Sequence, residues 1–108
     1  MYSTVWTQFE TQSLMFGILR KELYPKFIVR GETGKIKIYK PTADKYNPVL
    51  LLTLNIHAST NAAEVGIHKT SEDEFTIVGG TNAKNIMSFL GPQLAARAEG
   101  GNAVPSPI

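Results

Sequence analysis

The chain has no cysteine among its 108 residues. Disulfide scaffolds, zinc fingers, thiolate clusters and cysteine nucleophiles are thereby excluded. It also lacks the apolar run of ~18 residues that a membrane-spanning helix requires. The opening Met1-Tyr2-Ser3-Thr4 shows neither the basic stretch nor the apolar segment of a secretory signal. The expectation is a cytoplasmic protein of an intracellular or virus-encoded kind. Histidine is scarce, with two in the chain, and no carboxylate at helical spacing joins them in a metal set. No metal or other cofactor is expected. A hydrolase is not indicated either, because Gly-X-Ser-X-Gly is missing.

Hydrophobic residues make up 43% of the chain, enough for the core of one domain. A chain of this length buries roughly 60–70% of its unfolded surface, so it needs no staple. Residues 1–98 read as a single α+β domain and residues 99–108, rich in Gly and Pro, as a flexible C-terminal tail.

The formal net charge of +2 is unevenly distributed. Eight of the eleven basic residues lie between positions 20 and 45, with Glu22, Glu32 and Asp44 the only acids there, a local charge of +5. The rest of the chain carries −3, from three basic residues against six acidic ones. A concentrated field of this kind steers anionic partners even when the total charge is small. The plain alternative is a solvated surface that maintains solubility.

Leu14, Met15, Ile18, Leu19 and Leu23 follow helical spacing, and Tyr24-Pro25 predicts the stop, because the residue before proline disfavours helix. Upstream, residues 2–11 are compatible with either a helical extension or a short strand. Gly17 sits inside this helix, where it costs ~1 kcal/mol against alanine. A hairpin follows, with strands at 26–30 and 35–40 around Gly31-Glu32-Thr33-Gly34. In the second strand Ile36 and Ile38 alternate with Lys35, Lys37 and Tyr39. The run 49–57 is the strongest strand, expected to be buried on both faces at its start and half-exposed at its end. Further strands are expected at 64–69 and 74–78. A last helix carries Ala83, Ile86, Met87, Leu90 and Leu94, capped by Thr81 or Asn82 and interrupted at Gly91-Pro92 by a kink or break. The architecture is therefore an antiparallel sheet of about five strands, with an N-terminal and a C-terminal helix packed on one face. Short connections demand antiparallel neighbours, because a parallel crossover needs roughly a dozen residues or more; they leave the strand order open.

If Phe27, Val29, Ile36, Ile38, Leu52, Leu54, Val65, Ile67, Phe75 and Ile77 face the helices, the other face shows Lys26, Arg30, Lys35, Lys37, Tyr39, Thr53, Asn55, His57, His68 and Thr76. Cations around an aromatic on an open sheet suit single-stranded DNA or RNA, because Lys and Arg neutralise phosphates while the ring stacks a base. The expected contacts are Lys26, Arg30, Lys35, Lys37, Tyr39 and Lys40, in a non-enzymatic binding module. Edge-strand lysines that discourage aggregation would give the same pattern. Gly31-Glu32-Thr33-Gly34 has the outline of a Gly-X-X-Gly clamp but lies between strands, so it is not read as one.

The alternative reading is a homo-oligomeric interaction protein, or a viral accessory or structural protein. Trp6, Phe9 and Phe16 exceed one helical stripe, and Ala95, Ala96 and Ala98 give the last helix a small-residue face; a homodimer is the simplest outcome. A less favoured reading is catalytic. His57-Ala58-Ser59 and His68-Lys69-Thr70 resemble the paired His-X-Ser/Thr motif of two-histidine phosphoesterases, in which imidazoles act as acid and base. The two triplets stand much closer together here than in that family. A hairpin about Asn61 would set His57 near Val65 and His68 near Leu54. Gly79-Gly80-Thr81-Asn82-Ala83-Lys84 opens a helix but lacks the Gly-Lys-Ser/Thr ending of a phosphate loop.

Overall fold

The computed structural model describes residues 8–57, 66–78 and 83–100. Helix α1 runs from Gln8 to Leu23. Met15, Leu19 and Leu23, four residues apart, are its buried positions, whereas Leu14 is exposed. The apolar stripe is thus narrower than the sequence spacing predicts. Arg20 and Lys21 occupy the last turn, at the negative end of the helix dipole. The chain then turns through a cis Tyr24-Pro25 peptide bond into the sheet. Residues 8–11 are helical; residues 2–7, including Trp6, lie outside the described residues.

Five strands follow: β1 Ile28–Glu32, β2 Lys35–Lys40, β3 Val49–His57, β4 Gly66–Ser71 and β5 Glu74–Val78. Thr33 and Gly34 make the turn of the first hairpin, and Gly34 takes a φ of 72°, a left-handed conformation that glycine adopts without the Cβ penalty. The sheet order is β1-β2-β3-β5-β4, an α+β arrangement that is mostly antiparallel. The departure from a wholly antiparallel sheet is at β3. Its partner is β5, in parallel, and β4 pairs antiparallel with β5 on the outside. A parallel pair needs a connection of a dozen residues or more. The sixteen residues 58–73 between β3 and β5 meet that need and include β4 itself. Short loops constrain each connection but do not forbid the β4–β5 hairpin from entering the sheet with its second strand innermost.

The start of β3 is also different from expectation. Val49 and Leu50 are exposed, whereas Leu51 to Leu54 and Ile56 are buried. The reason is span: β5 pairs only with Thr53–His57, so the first residues of β3 have a strand on one side alone. Between Ile38 and Tyr39 the β2–β3 register slips, leaving Leu51 as the extra residue of a bulge. The β2–β3 loop is built on Asp44. Its carboxylate accepts hydrogen bonds from the Tyr46 N–H at 3.0 Å and Asn47 Nδ2 at 2.6 Å, and these donors hold its pKa below the ordinary carboxylate value.

Helix α2, Ala83–Ala98, continues through Pro92 without a break. Gly91 and Pro92 are exposed, while Leu90, Gln93 and Leu94 on either side are buried. Core packing across the proline maintains the helix despite the donor that proline lacks. The expected cap at Thr81 or Asn82 lies outside the described residues, as do 101–108 of the tail. Leu19, Ile36, Ile38, Leu52, Leu54, Ile56, Ile77, Ile86, Leu90 and Leu94 are fully buried, and one core cluster unites both helices with all strands except β4, whose Ile67 packs against it. Among the described residues, no helix is long and apolar enough to cross a membrane.

Among the described residues three polar ones are buried, Thr53, Gln93 and Arg97, and Arg97 alone of these is charged. Arg97, near the end of α2, donates from Nη1 to the Leu51 carbonyl at 3.2 Å and to Asp73 Oδ1 at 2.6 Å, and from Nη2 to the Glu72 carbonyl at 2.7 Å. Its guanidinium also lies over the Phe75 ring. It ties the second helix to the β4–β5 turn and the exposed start of β3.

Candidate nucleic-acid interface

The registers assign side chains to faces, because residues directly paired across strands share one. One row runs Arg30, Lys37, Thr53 and Glu74, and the next runs Glu32, Lys35, Asn55, Thr76 and His68. A third, at the end of the sheet, consists of Ile28, Tyr39 and Leu50. In β2 the buried Ile36 and Ile38 point the other way, into the core. Arg30, Lys35, Lys37 and Tyr39 are therefore brought together on one face.

That face is less basic than the lysine-rich strand suggests. Glu32 and Glu74 share it, so its three cations are opposed by two carboxylates. Lys37 Nζ is paired with Glu32 Oε2 at 3.0 Å, and this hydrogen bond and charge raise the lysine pKa above its ordinary value. Glu74 accepts from Asn55 Nδ2, which also lies 3.4 Å from Thr76 Oγ1. Thr76 in turn reaches Thr70 at 3.5 Å. The centre of the face is a hydrogen-bonded network around the Glu74 carboxylate, and the positive part is its β1–β2 side.

The two outlying residues sit elsewhere. Lys26 precedes β1, exposed, with Nζ 5.7 Å from the centre of the Phe27 ring. Lys40 ends β2 and donates to the Ala98 carbonyl at 2.7 Å, satisfying one of the carbonyls left free at the C-terminus of α2. Arg30 lies over Tyr39, 5.0 Å from the ring centre. The half-buried tyrosine thus presents its cation outermost, and a guanidinium plane stacks bases as an aromatic ring does.

The histidines are not arranged as a hairpin about Asn61 would place them. His57 stands opposite Val78, which faces Gly66, while His68 stands opposite Thr76. With β5 between them and two residues of offset, their backbones lie roughly 12 Å apart by ordinary sheet spacing. The side chain of His57 and residues 58–65 lie outside the described residues. Among the described residues no group of three or more His, Asp or Glu forms a metal site. A cleft of about 830 Å³ opens beside the first hairpin, lined by Gln12, Ser13, Phe16, Gly31, Glu32, Thr33 and Gly34. Among its described lining residues the only charge is the acid Glu32, which does not suit an anion. Phe16 covers Gly31 there, where an added Cβ would lie 3.5 Å from the ring. Phe16, counted in the sequence as surplus apolar surface, is thus used within the fold, and the side chain of Phe9 lies outside the described residues. Ala95 is exposed, and Ala96 and Ala98 are half-buried.

No protein-family model, no curated protein and no solved structure matches this chain.

The chemistry of the face therefore has to be read from its own residues. Sequence patterning missed Lys45, Tyr46 and Leu50, which lie at the same end of the sheet as Tyr39. Tyr46 is 79% exposed and Leu50 45% exposed, with Lys45 Nζ 5.3 Å from the Tyr46 ring centre. The available signal was the dipeptide Lys45-Tyr46 inside a polar loop that returns to β3 opposite Tyr39.

Proposed function

We propose that this protein is a non-enzymatic module that binds single-stranded nucleic acid through the β1–β2 side of its sheet. The observation that carries the reading is the cross-strand grouping of Arg30, Lys37 and Lys35 beside Tyr39, with Arg30 stacked on that ring. Three cations spaced along a hairpin match a phosphate backbone, and the arginine–tyrosine stack offers a base a flat surface. The pair Lys37–Glu32 is partly exposed to water, where solvent screening leaves an ion pair little net worth. A phosphate can therefore replace the carboxylate at small cost.

Fluorescence anisotropy with a labelled thymidine oligonucleotide tests the reading. The wild-type protein is expected to bind at low salt and to weaken as salt rises, and the Lys35→Glu, Lys37→Glu double variant to lose binding. Absence of binding at micromolar protein in low salt, or affinity indifferent to salt, would overturn it.

A further inference from the structure

Tyr24, Tyr39 and Tyr46 share a feature that neither composition nor strand alternation revealed. Each has a cation over its ring: Arg20 at 5.3 Å, Arg30 at 5.0 Å and Lys45 at 5.3 Å from the respective centres. All three also lie at one end of the sheet. Tyr24 follows α1 and leads within four residues to the start of β1, which pairs with Tyr39 near the end of β2. Tyr46 sits in the loop that leaves β2 after Lys40 and enters β3 at Val49. Tyr24 and Tyr46 are largely exposed, at 58% and 79%.

We infer that these three cation-backed tyrosines form a base-stacking end, which makes unpaired nucleobases, rather than the polyanionic backbone alone, the ligand of this protein. The inference rests on the single-strand reading above and deepens it by assigning the bases to a separate group of residues. The argument is chemical. A cation over an aromatic ring is attracted by the ring's negative face; the exposed Tyr24 and Tyr46 rings are accessible to a base, and at the half-buried Tyr39 the outermost Arg30 guanidinium supplies the stacking plane. The same cation stands where the phosphate flanking that base would run. Other polyanions carry nothing to stack, and paired bases in a duplex have no free face. The centre of the sheet, where Asn55 links the Glu74 carboxylate to Thr76, carries an acid and contributes little to this selection.

The test compares a thymidine oligonucleotide of about fifteen nucleotides with an abasic deoxyribose-phosphate polymer of equal length and charge, measured by anisotropy at one salt concentration. The oligonucleotide is expected to bind about tenfold or more tightly than the abasic polymer. Tyr46→Ala should remove roughly that factor from the oligonucleotide and leave the abasic polymer unchanged, while Tyr46→Phe retains binding. Its exposure means that neither change disturbs the core, and the melting temperature checks this. If both polymers bind alike and Tyr46→Ala affects neither, the stacking end is overturned while the cationic reading stands. If neither polymer binds at low salt, the cationic reading falls and the stacking end falls with it.

Discussion

The side-chain amide of Gln12 closes the Gly34 turn of the first hairpin: its Oε1 accepts from the Gly34 N–H at 2.9 Å. Its Nε2 donates to the Lys35 carbonyl at 2.9 Å and to the Glu32 carbonyl. A single residue of α1 thus satisfies three backbone groups at the tip that carries Lys35. Gln12→Ala is expected to destabilise the protein by about 1 kcal/mol, since three backbone groups lose this partner and one of them, the Gly34 N–H, is partly buried. Urea unfolding checks this: the midpoint should fall with the slope unchanged, and an unaltered midpoint would show that water replaces the amide freely.

Arg97 and Asp73 contribute unequally to one ion pair. The arginine side chain is 6% exposed and the aspartate 72%. Removing the carboxylate leaves Arg97 bound to two carbonyls, so Asp73→Asn should cost about 1 kcal/mol or less. Arg97→Met leaves the Leu51 and Glu72 carbonyls without this donor and should cost about 2–4 kcal/mol. Thermal or urea unfolding of the two variants checks the order. Equal losses would contradict the view that the backbone contacts dominate.

The hairpin, the five strands and both helices were legible in the sequence, and all but the largely exposed β4 have a period that burial enforces. Ile36 and Ile38 alternate with lysines, and Leu19 and Leu23 repeat at four. The strand order was not legible. Nothing in Gly66–Ser71 or Glu74–Val78 marks which of the two lies inside, because both are short and only the buried Phe75 and Ile77 make β5 the inner strand. The candidate site was half legible. Parity placed Lys35, Lys37 and Tyr39 together, but it hid the acids Glu32 and Glu74 that the registers set beside them. Lys40 looked like a continuation of the basic strand and instead caps α2. Tyr24 and Tyr46 lie outside any periodic segment, so only the folded chain brings them to the end of the sheet that holds Tyr39.

Asp44 supplies a pH signature for the β2–β3 loop. Its carboxyl pKa is lowered by the Asn47 side chain and then by the Tyr46 N–H. A lowered carboxylate contributes stability above its unfolded pKa, and that contribution is lost as pH falls through the folded value. In an NMR titration Asp44 should therefore protonate below the exposed carboxylates that lack such donors, and Asn47→Ala should move it upward. A titration of Asp44 at the ordinary value would contradict the loop geometry.

Glu32 competes with phosphate for Lys37. Glu32→Gln should increase oligonucleotide affinity by about threefold to tenfold at low salt and steepen the salt dependence by about one released counterion. The raised lysine pKa should relax toward its ordinary value in the same variant. The pair's contribution is present below the unfolded lysine pKa and lost as pH rises through the raised one, so near neutral pH the variant removes a formed pair. Anisotropy titrations at several salt concentrations check this, and weaker binding by Glu32→Gln would mean that Glu32 orders the site rather than opposing the ligand.

The most direct measurement is the change in backbone amide shifts when a single-stranded oligonucleotide is titrated into the labelled protein. The account predicts perturbations concentrated at residues 28–40 and 45–50, extending to Tyr24 and fading toward β4. Shifts confined to β4, β5 or α2, or no shifts with oligonucleotide in excess at low salt, would contradict it.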